Sequence, residues 1–304
     1  MNKIKGLVAA PFSVLDSRGE LRVEKIPAYC DMLEKNKVAG AFINGSTGEG
    51  VSLSQKEKHQ TMEHWGRVSK GKNIKLINLV GGTSHKECID NALHSQENGA
   101  AAISILAPYY FKPSSAKALV DFCALIAEAV PKMPVYFYHI PVLTACNISM
   151  YDFLREADGV ISNLAGIKYT HEDFMDYLSC LHFKNAKYDM LWGRDENLLS
   201  ALVLGAKGGV GSTYNYAAPL YLELIAAYNA GNFTQARKLQ QKSIDMIYLL
   251  GKYGGIATGK AYMKYLGLDL GGFRLPVKNM SDSAYIDFCK NVKSLNMEDC
   301  FSEV

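Results

Sequence analysis

Two hydrophobic periods alternate along the chain. Short, continuous apolar runs recur at 6–12, 40–44, 75–80, 101–106, 135–139, 164–169, 187–192 and 208–211. They are rich in Ile, Val, Tyr and Ala, as parallel strands covered on both faces should be. Between them lie amphipathic stretches, and their period predicts helices over 25–36, 55–69, 86–98, 116–129 and 197–204. Ser54 ahead of Gln55-Lys56-Glu57 has the spacing of a capping box, and Gly99 after Asn98 is a helix stop. Past Ala217 the strand signal ceases, and 220–229, 234–252, 257–266 and 282–294 read as helices.

Eight strand–helix units predict an α/β fold, a closed (β/α)8 TIM barrel with a C-terminal helical extension. An open doubly wound sheet shares the alternation, but no G-x-G-x-x-G follows the first strand. The expected organisation is a barrel over 1–230, with its site at the strand C-terminal ends, and a helical region over 231–304. No low-complexity linker separates them.

Composition narrows the function. The 304 residues are 48% hydrophobic, ample for a core. Thirty-three basic and 30 acidic residues give a net charge of +3. They are well mixed, so no basic stripe points to nucleic acid. No apolar run reaches the roughly 18 residues of a membrane span. The opening Met1-Asn2-Lys3-Ile4-Lys5-Gly6-Leu7-Val8 has too short an apolar stretch for a signal peptide. The expectation is a cytoplasmic protein. The seven cysteines form no C-x-x-C, and the seven histidines no H-E-x-x-H. No metal site is expected, and the thiols read as reduced, buried or half-buried.

The chemistry concentrates at strand ends. Lys168 closes the run Gly166-Ile167-Lys168, and Tyr138 lies near the end of Tyr136-Phe137-Tyr138. Burial disfavours an ammonium and yields a neutral amine able to attack a ketone. A nearby phenol can move the protons. Gly45-Ser46-Thr47-Gly48-Glu49-Gly50 follows the second strand and can cradle an anion, or serve as a tight turn. Tyr110 follows the fourth strand beside Tyr109, where packing is the competing reading. Gly193-Arg194-Asp195-Glu196 follows the seventh strand, its two carboxylates serving either a helix start or as acceptors for sugar hydroxyls. Gly211-Ser212-Thr213 follows the eighth.

Taken together, Gly45-Ser46-Thr47-Gly48-Glu49, Tyr136-Phe137-Tyr138-His139-Ile140-Pro141, Gly166-Ile167-Lys168-Tyr169-Thr170, Gly193-Arg194-Asp195-Glu196 and Gly211-Ser212-Thr213-Tyr214-Asn215 resemble the N-acetylneuraminate lyase branch of the dihydrodipicolinate synthase superfamily. The resemblance runs from about Gly6 to Pro276. It implies a class I aldolase that forms a Schiff base with pyruvate on Lys168, needs no other cofactor and no metal, and assembles as a homotetramer. By the same resemblance Tyr138 transfers protons, and Ser46 and Thr47 hold the substrate carboxylate. Tyr110 completes a hydroxyl relay with Thr47, from its own or a neighbouring subunit. Thr170, Gly193, Asp195, Glu196, Gly211 and Ser212 line the sugar side. His139 is expected to hydrogen-bond around the site without transferring protons.

The implied reaction is reversible cleavage of N-acetylneuraminate to N-acetylmannosamine and pyruvate. Synthases acting on aspartate semialdehyde carry an arginine shortly after the tyrosine-strand proline; here Pro141-Val142-Leu143-Thr144 has none. The competing readings are another pyruvate-dependent aldolase or dehydratase of the superfamily, such as the synthase or a keto-deoxy sugar acid aldolase, and a non-catalytic sensor of sialic acid or pyruvate.

Overall fold

A computed structural model describes residues 3–304, so Met1 and Asn2 of the opening stretch lie outside the described residues. The strands are β1 (Gly6–Ala9), β2 (Gly40–Ile43), β3 (Lys75–Leu79), β4 (Ala102–Leu106), β5 (Val135–His139), β6 (Leu164–Tyr169), β7 (Asp189–Trp192) and β8 (Gly208–Gly211). They pair in sequential order, all parallel, and β8 returns to β1 to close the barrel. The helices between them are α1 (Ile26–Lys35), α2 (Gln55–Ser69), α3 (His85–Glu97), α4 (Ala116–Ala127), the short α5 (Pro141–Thr144), α6 (Met150–Ala157), α7 (Phe174–His182) and α8 (Leu198–Leu204). Beyond β8 come α9 (Ala218–Asn229), α10 (Phe233–Lys252), α11 (Ala257–Tyr265) and α12 (Asp282–Ser294).

Local chemistry explains most boundaries. Ser54 Oγ accepts the Glu57 N–H, and Glu57 Oε2 accepts the Ser54 N–H at 2.8 Å, the reciprocal capping box at the start of α2. Gly99 takes φ +81° just past α3. The first strand stops at Ala9, short of the expected residue 12. Ala10 still donates to the Gly211 carbonyl, but Pro11 has no N–H to continue the ladder. Strand β7 starts at Asp189 and not at 187, because Lys184, Asn185 and Ala186 all adopt positive φ. Helices α6 and α7 fall outside the five inter-strand stretches read from the sequence. Ser149 and Asp173 cap them, and α6 buries Met150, Phe153, Leu154 and Ala157 on one face.

The core has two layers because strand side chains alternate. Val8, Phe42, Ile77, Leu106, Tyr136, Leu191 and Val210 fill the barrel interior. Val135, Phe137, Ile167, Tyr169 and Trp192 face the helices. All seven cysteines are unpaired; six are buried and Cys289 is half-buried. Among the described residues no helix is long and apolar enough to cross a membrane.

Candidate active site

The aim of Lys168 depends on a shift in register. Val135 pairs with Leu164, but Tyr136 pairs with Gly166, so β6 carries one extra residue at Ala165. Downstream of that bulge Lys168 lies opposite Tyr138, and both turn into the barrel. Gly166 is required there, since a Cβ would overlap the Asp189 backbone. Lys168 is 4% exposed, with Nζ 3.9 Å from the ring centroids of both Phe42 and Tyr138. Burial pulls its pKa from 10.5 down to about 7, against the opposing pull of the Asp195 carboxylate. Ring faces favour an ammonium by roughly 0.5–2 kcal/mol, so desolvation is the larger effect. A substantial fraction of the amine is therefore neutral near pH 7.

Tyr138 Oη lies 3.5 Å from Ser46 Oγ, at the long limit of a hydrogen bond. Burial raises the phenol pKa, while the Ser46 and Thr170 hydroxyls lower it. Thr170 Oγ1 is buried and near enough to the phenol to act on it, but completes no hydrogen bond among the described residues. Thr47 is buried beside Ser46, which is half-buried. Their loop is tightly held. Asn44 and Glu49 bracket it with φ of 56° and 53°, a left-handed backbone that non-glycine residues seldom adopt. Ser13 Oγ donates to the Gly48 carbonyl. Among the described residues the N–H groups of Ser46, Thr47 and Gly48 meet no backbone acceptor, which leaves them for an anion.

Across the barrel mouth, Asp195 is 5% exposed. Its Oδ2 accepts from Thr213 N at 3.0 Å and Thr213 Oγ1 at 2.7 Å, and its buried Oδ1 has no hydrogen-bond partner among the described residues. Burial raises its pKa to about 6, with Thr213 and Lys168 pulling the other way. Gly211 is essential to that pose, because a Cβ would overlap the carboxylate. A Cβ at Gly193 would likewise overlap the Thr170 hydroxyl. Glu196 sits differently. It is half-exposed, and its Oε1 is 3.1 Å from Arg194 Nε. Asp195–Asn197 forms a 3-10 turn leading into α8, so a helix start and a buried acceptor coexist here. Ser212, half-buried, opens the turn after β8.

Lys168, Tyr138, Ser46 and Thr170 thus converge, with Asp195 close enough to act on the charge of the lysine. Tyr110 does not join them within one chain; it is 76% exposed and stacks edge-on with Phe111 at 5.1 Å. His139 departs from expectation. It follows inward-facing Tyr138, so alternation turns it outward. There it packs 5.0 Å from the Tyr169 ring, with no side-chain hydrogen bond among the described residues. Burial and His171 lower its pKa to about 4, so it is neutral. Phe42, Thr213 and the ion pair Lys260–Glu49 were not foreseen. Lys260 Nζ donates to Glu49 Oε1 at 2.9 Å with both side chains buried, and Glu49 Oε2 accepts the Arg274 N–H at 2.8 Å. Among the described residues no group of three His, Cys, Asp or Glu side chains is placed to hold a metal ion.

A closed parallel barrel with a partly uncharged lysine between two aromatic rings is built to present an amine nucleophile to a carbonyl compound. The chain belongs to the dihydrodipicolinate synthetase family, whose model matches residues 3–295. It is 38% identical over 281 residues to an N-acetylneuraminate lyase of Danio rerio, covering 91% of this chain and 92% of that one. The structure matches Proteus mirabilis N-acetylneuraminate lyase with a TM-score of 0.94 at 36% identity, over 97% of this chain and 99% of that one. It matches dihydrodipicolinate synthase of Bacillus anthracis with a TM-score of 0.89 at 26% identity, over 97% and 99%.

Proposed function

We propose that this chain is a class I aldolase that reversibly cleaves N-acetylneuraminate to N-acetylmannosamine and pyruvate. The observation that carries the reading is the pairing of buried Lys168 with Tyr138 on adjacent strands, opposite a buried carboxylate with a free oxygen. Similarity to N-acetylneuraminate lyases over most of the chain supports the substrate.

The neutral amine of Lys168 adds to the C2 ketone of the open-chain sugar acid, and loss of water gives an iminium. The Tyr138 phenol gives its proton to the departing hydroxyl; the phenolate so formed takes the C4 hydroxyl proton, and the C3–C4 bonding electrons flow into the iminium. N-acetylmannosamine leaves as its aldehyde, and the enamine of pyruvate remains on Lys168. Protonation at C3 and addition of water release pyruvate and restore the amine. The iminium is the electron sink, so no cofactor or metal takes part. Ser46 and Thr47 hold the substrate carboxylate at the loop of free N–H groups, which also balances the iminium charge. Thr170, Gly193, Asp195, Glu196, Gly211 and Ser212 line the sugar side. Asp195 Oδ1 accepts a tail hydroxyl. In a homotetramer, exposed Tyr110 and Phe111 meet a neighbouring subunit, and Tyr110 completes a relay to Thr47. A cytoplasmic enzyme acting on small molecules, without nucleic acid or membrane partners, fits this chemistry.

The test is pyruvate release from N-acetylneuraminate beside consumption of aspartate semialdehyde with pyruvate. Cleavage of the first and indifference to the second is the expected result. The reverse pattern assigns the chain to the synthase reaction, and activity on neither removes the aldolase reading.

A further inference from the structure

Asp195 ends a buried chain of hydroxyls that begins outside the barrel. Thr213 Oγ1 lies 2.7 Å from Asp195 Oδ2 and 2.7 Å from Tyr221 Oη, and Tyr221 Oη lies 2.7 Å from Ser243 Oγ. Thr213, Tyr221 and Ser243 are all buried. Each hydroxyl has one proton to give. Thr213 gives its proton to the carboxylate, because a bond to a charged acceptor is the stronger one. Tyr221 must then donate to Thr213, and Ser243 to Tyr221. The charge on Asp195 therefore sets the direction of the whole chain. A second tie comes from the same helix. Gln240, one turn before Ser243 on α10, donates through Nε2 to the Asp195 carbonyl at 3.1 Å and accepts the Leu199 N–H at 2.9 Å. Asp195 is thus gripped by one carboxylate oxygen and its carbonyl, and Oδ1 is left without a partner.

We propose that Ser243, Tyr221 and Thr213 form a positioning chain through which α10 fixes the pose and charge of Asp195, and with them the preference for a keto acid bearing a polyol tail. The inference rests on the reading of Asp195 as the acceptor for that tail. The groups that bear on Asp195 are Lys168 from β6, which stabilises its charge, and Glu196 beside it, which opposes it. The Asp195 charge in turn pushes up the phenols of Tyr138, Tyr214, Tyr216 and Tyr221. The four phenols stay protonated near neutral pH, where Lys168 is partly charged. The Thr213 hydrogen bonds favour the charged form, so removing the hydroxyl lets burial push the Asp195 pKa further up from about 6.

The experiment compares two rates across pH in the full-length enzyme: kcat/KM for N-acetylneuraminate, and borohydride trapping of pyruvate on Lys168. Deprotonation of Lys168 enters both, so their ratio isolates Asp195. In Thr213→Val, which keeps the backbone donor, the ratio should fall about 10- to 100-fold. Its acid limb should move to higher pH, while trapping on its high-pH plateau, where Lys168 is neutral whatever the charge of Asp195, should be unchanged. Thr213→Ser should restore the wild-type limb. Tyr221→Phe leaves Thr213 in place and should shift the limb the same way by a smaller amount; it also decides the matter if Thr213→Val does not fold. Limbs that stay at the wild-type pH, or cleavage and trapping that fall together, overturn the chain. Asp195→Asn separates the two levels. If it spares cleavage, the tail acceptor and the chain both fail. If it impairs cleavage while Thr213→Val and Tyr221→Phe leave the limb in place, the chain alone fails.

Discussion

Replacing Lys168 with methionine should abolish the chemistry and stabilise the fold. The amine titrates near 10.5 in an open chain and at about 7 when buried. Below pH 7 the folded protein carries a buried ammonium and the penalty is complete. Between pH 7 and 10.5 folding must expel a proton, so the penalty shrinks as pH rises. Above 10.5 both states are neutral and it vanishes. At about 1.4 kcal/mol per tenfold change in proton affinity, the penalty is about 4 kcal/mol at pH 7 and about 1 kcal/mol at pH 9.5. Methionine gives up the attraction of the Phe42 and Tyr138 faces for an ammonium, roughly 0.5–2 kcal/mol, and regains part of it as sulfur–ring contact. The expected gain is then roughly 2–3 kcal/mol at pH 7, fading to less than about 1 kcal/mol at pH 9.5. Urea denaturation of both proteins at the two pH values, at one protein concentration, measures it. A variant less stable than the parent at pH 7, or a gain that holds or grows toward pH 9.5, refutes the account of a desolvated lysine.

Borohydride added with pyruvate should fix the three-carbon unit on Lys168 alone, read by peptide mapping, with a rate that climbs as pH rises through about 7. An adduct on another lysine contradicts the assignment. Activity should survive EDTA and dialysis; loss restored by a divalent ion would show that the imine is not the electron sink. Asp195→Asn and Glu196→Gln should separate in steady-state kinetics. The buried acceptor should lose about one to two decades in kcat/KM for N-acetylneuraminate. The half-exposed glutamate paired with Arg194 should lose less than about tenfold. Equal losses would mean that burial does not distinguish their roles.

The barrel was legible because its strands are bare apolar runs between amphipathic helices. The expected β5, β6 and β8, and α2 and α12, coincide with the observed elements. Lys168 was legible for the opposite reason, as a lone charge in such a run. The bulge at Ala165 was not, since an extra residue in an apolar strand leaves no compositional trace, yet it decides which face the lysine takes. Phe42 was hidden for a similar reason: a phenylalanine in a strand reads as ordinary core. Thr213 grips Asp195 across 18 residues of sequence, and Lys260 reaches Glu49 across 211. Only closure of the barrel and docking of α11 bring those partners together. The outward turn of His139 could have been read from its place directly after Tyr138.

The features that oppose folding crowd around one end of the barrel. Among the described residues, a buried lysine amine sits between two aromatic rings, a buried aspartate keeps one oxygen without a hydrogen-bond partner, and Asn44 and Glu49 hold left-handed backbones. Such conflicts persist only where the surroundings over-determine them. Here the surroundings include the C-terminal helices. Lys260 of α11 neutralises Glu49 and so fixes the Ser46–Thr47 loop from outside. Removing either member of that buried pair would strand a charge, at about 3–5 kcal/mol. Gln240 of α10 grips the Asp195 turn in the same way. Opposite ends of one substrate, its carboxylate and its hydroxylated tail, would thus each meet a loop whose pose is set by a different outer helix. Barrel loops vary readily without disturbing the strands beneath them. Fixing them from a third layer would let Lys168 serve as the common nucleophile while the tail side is tuned separately.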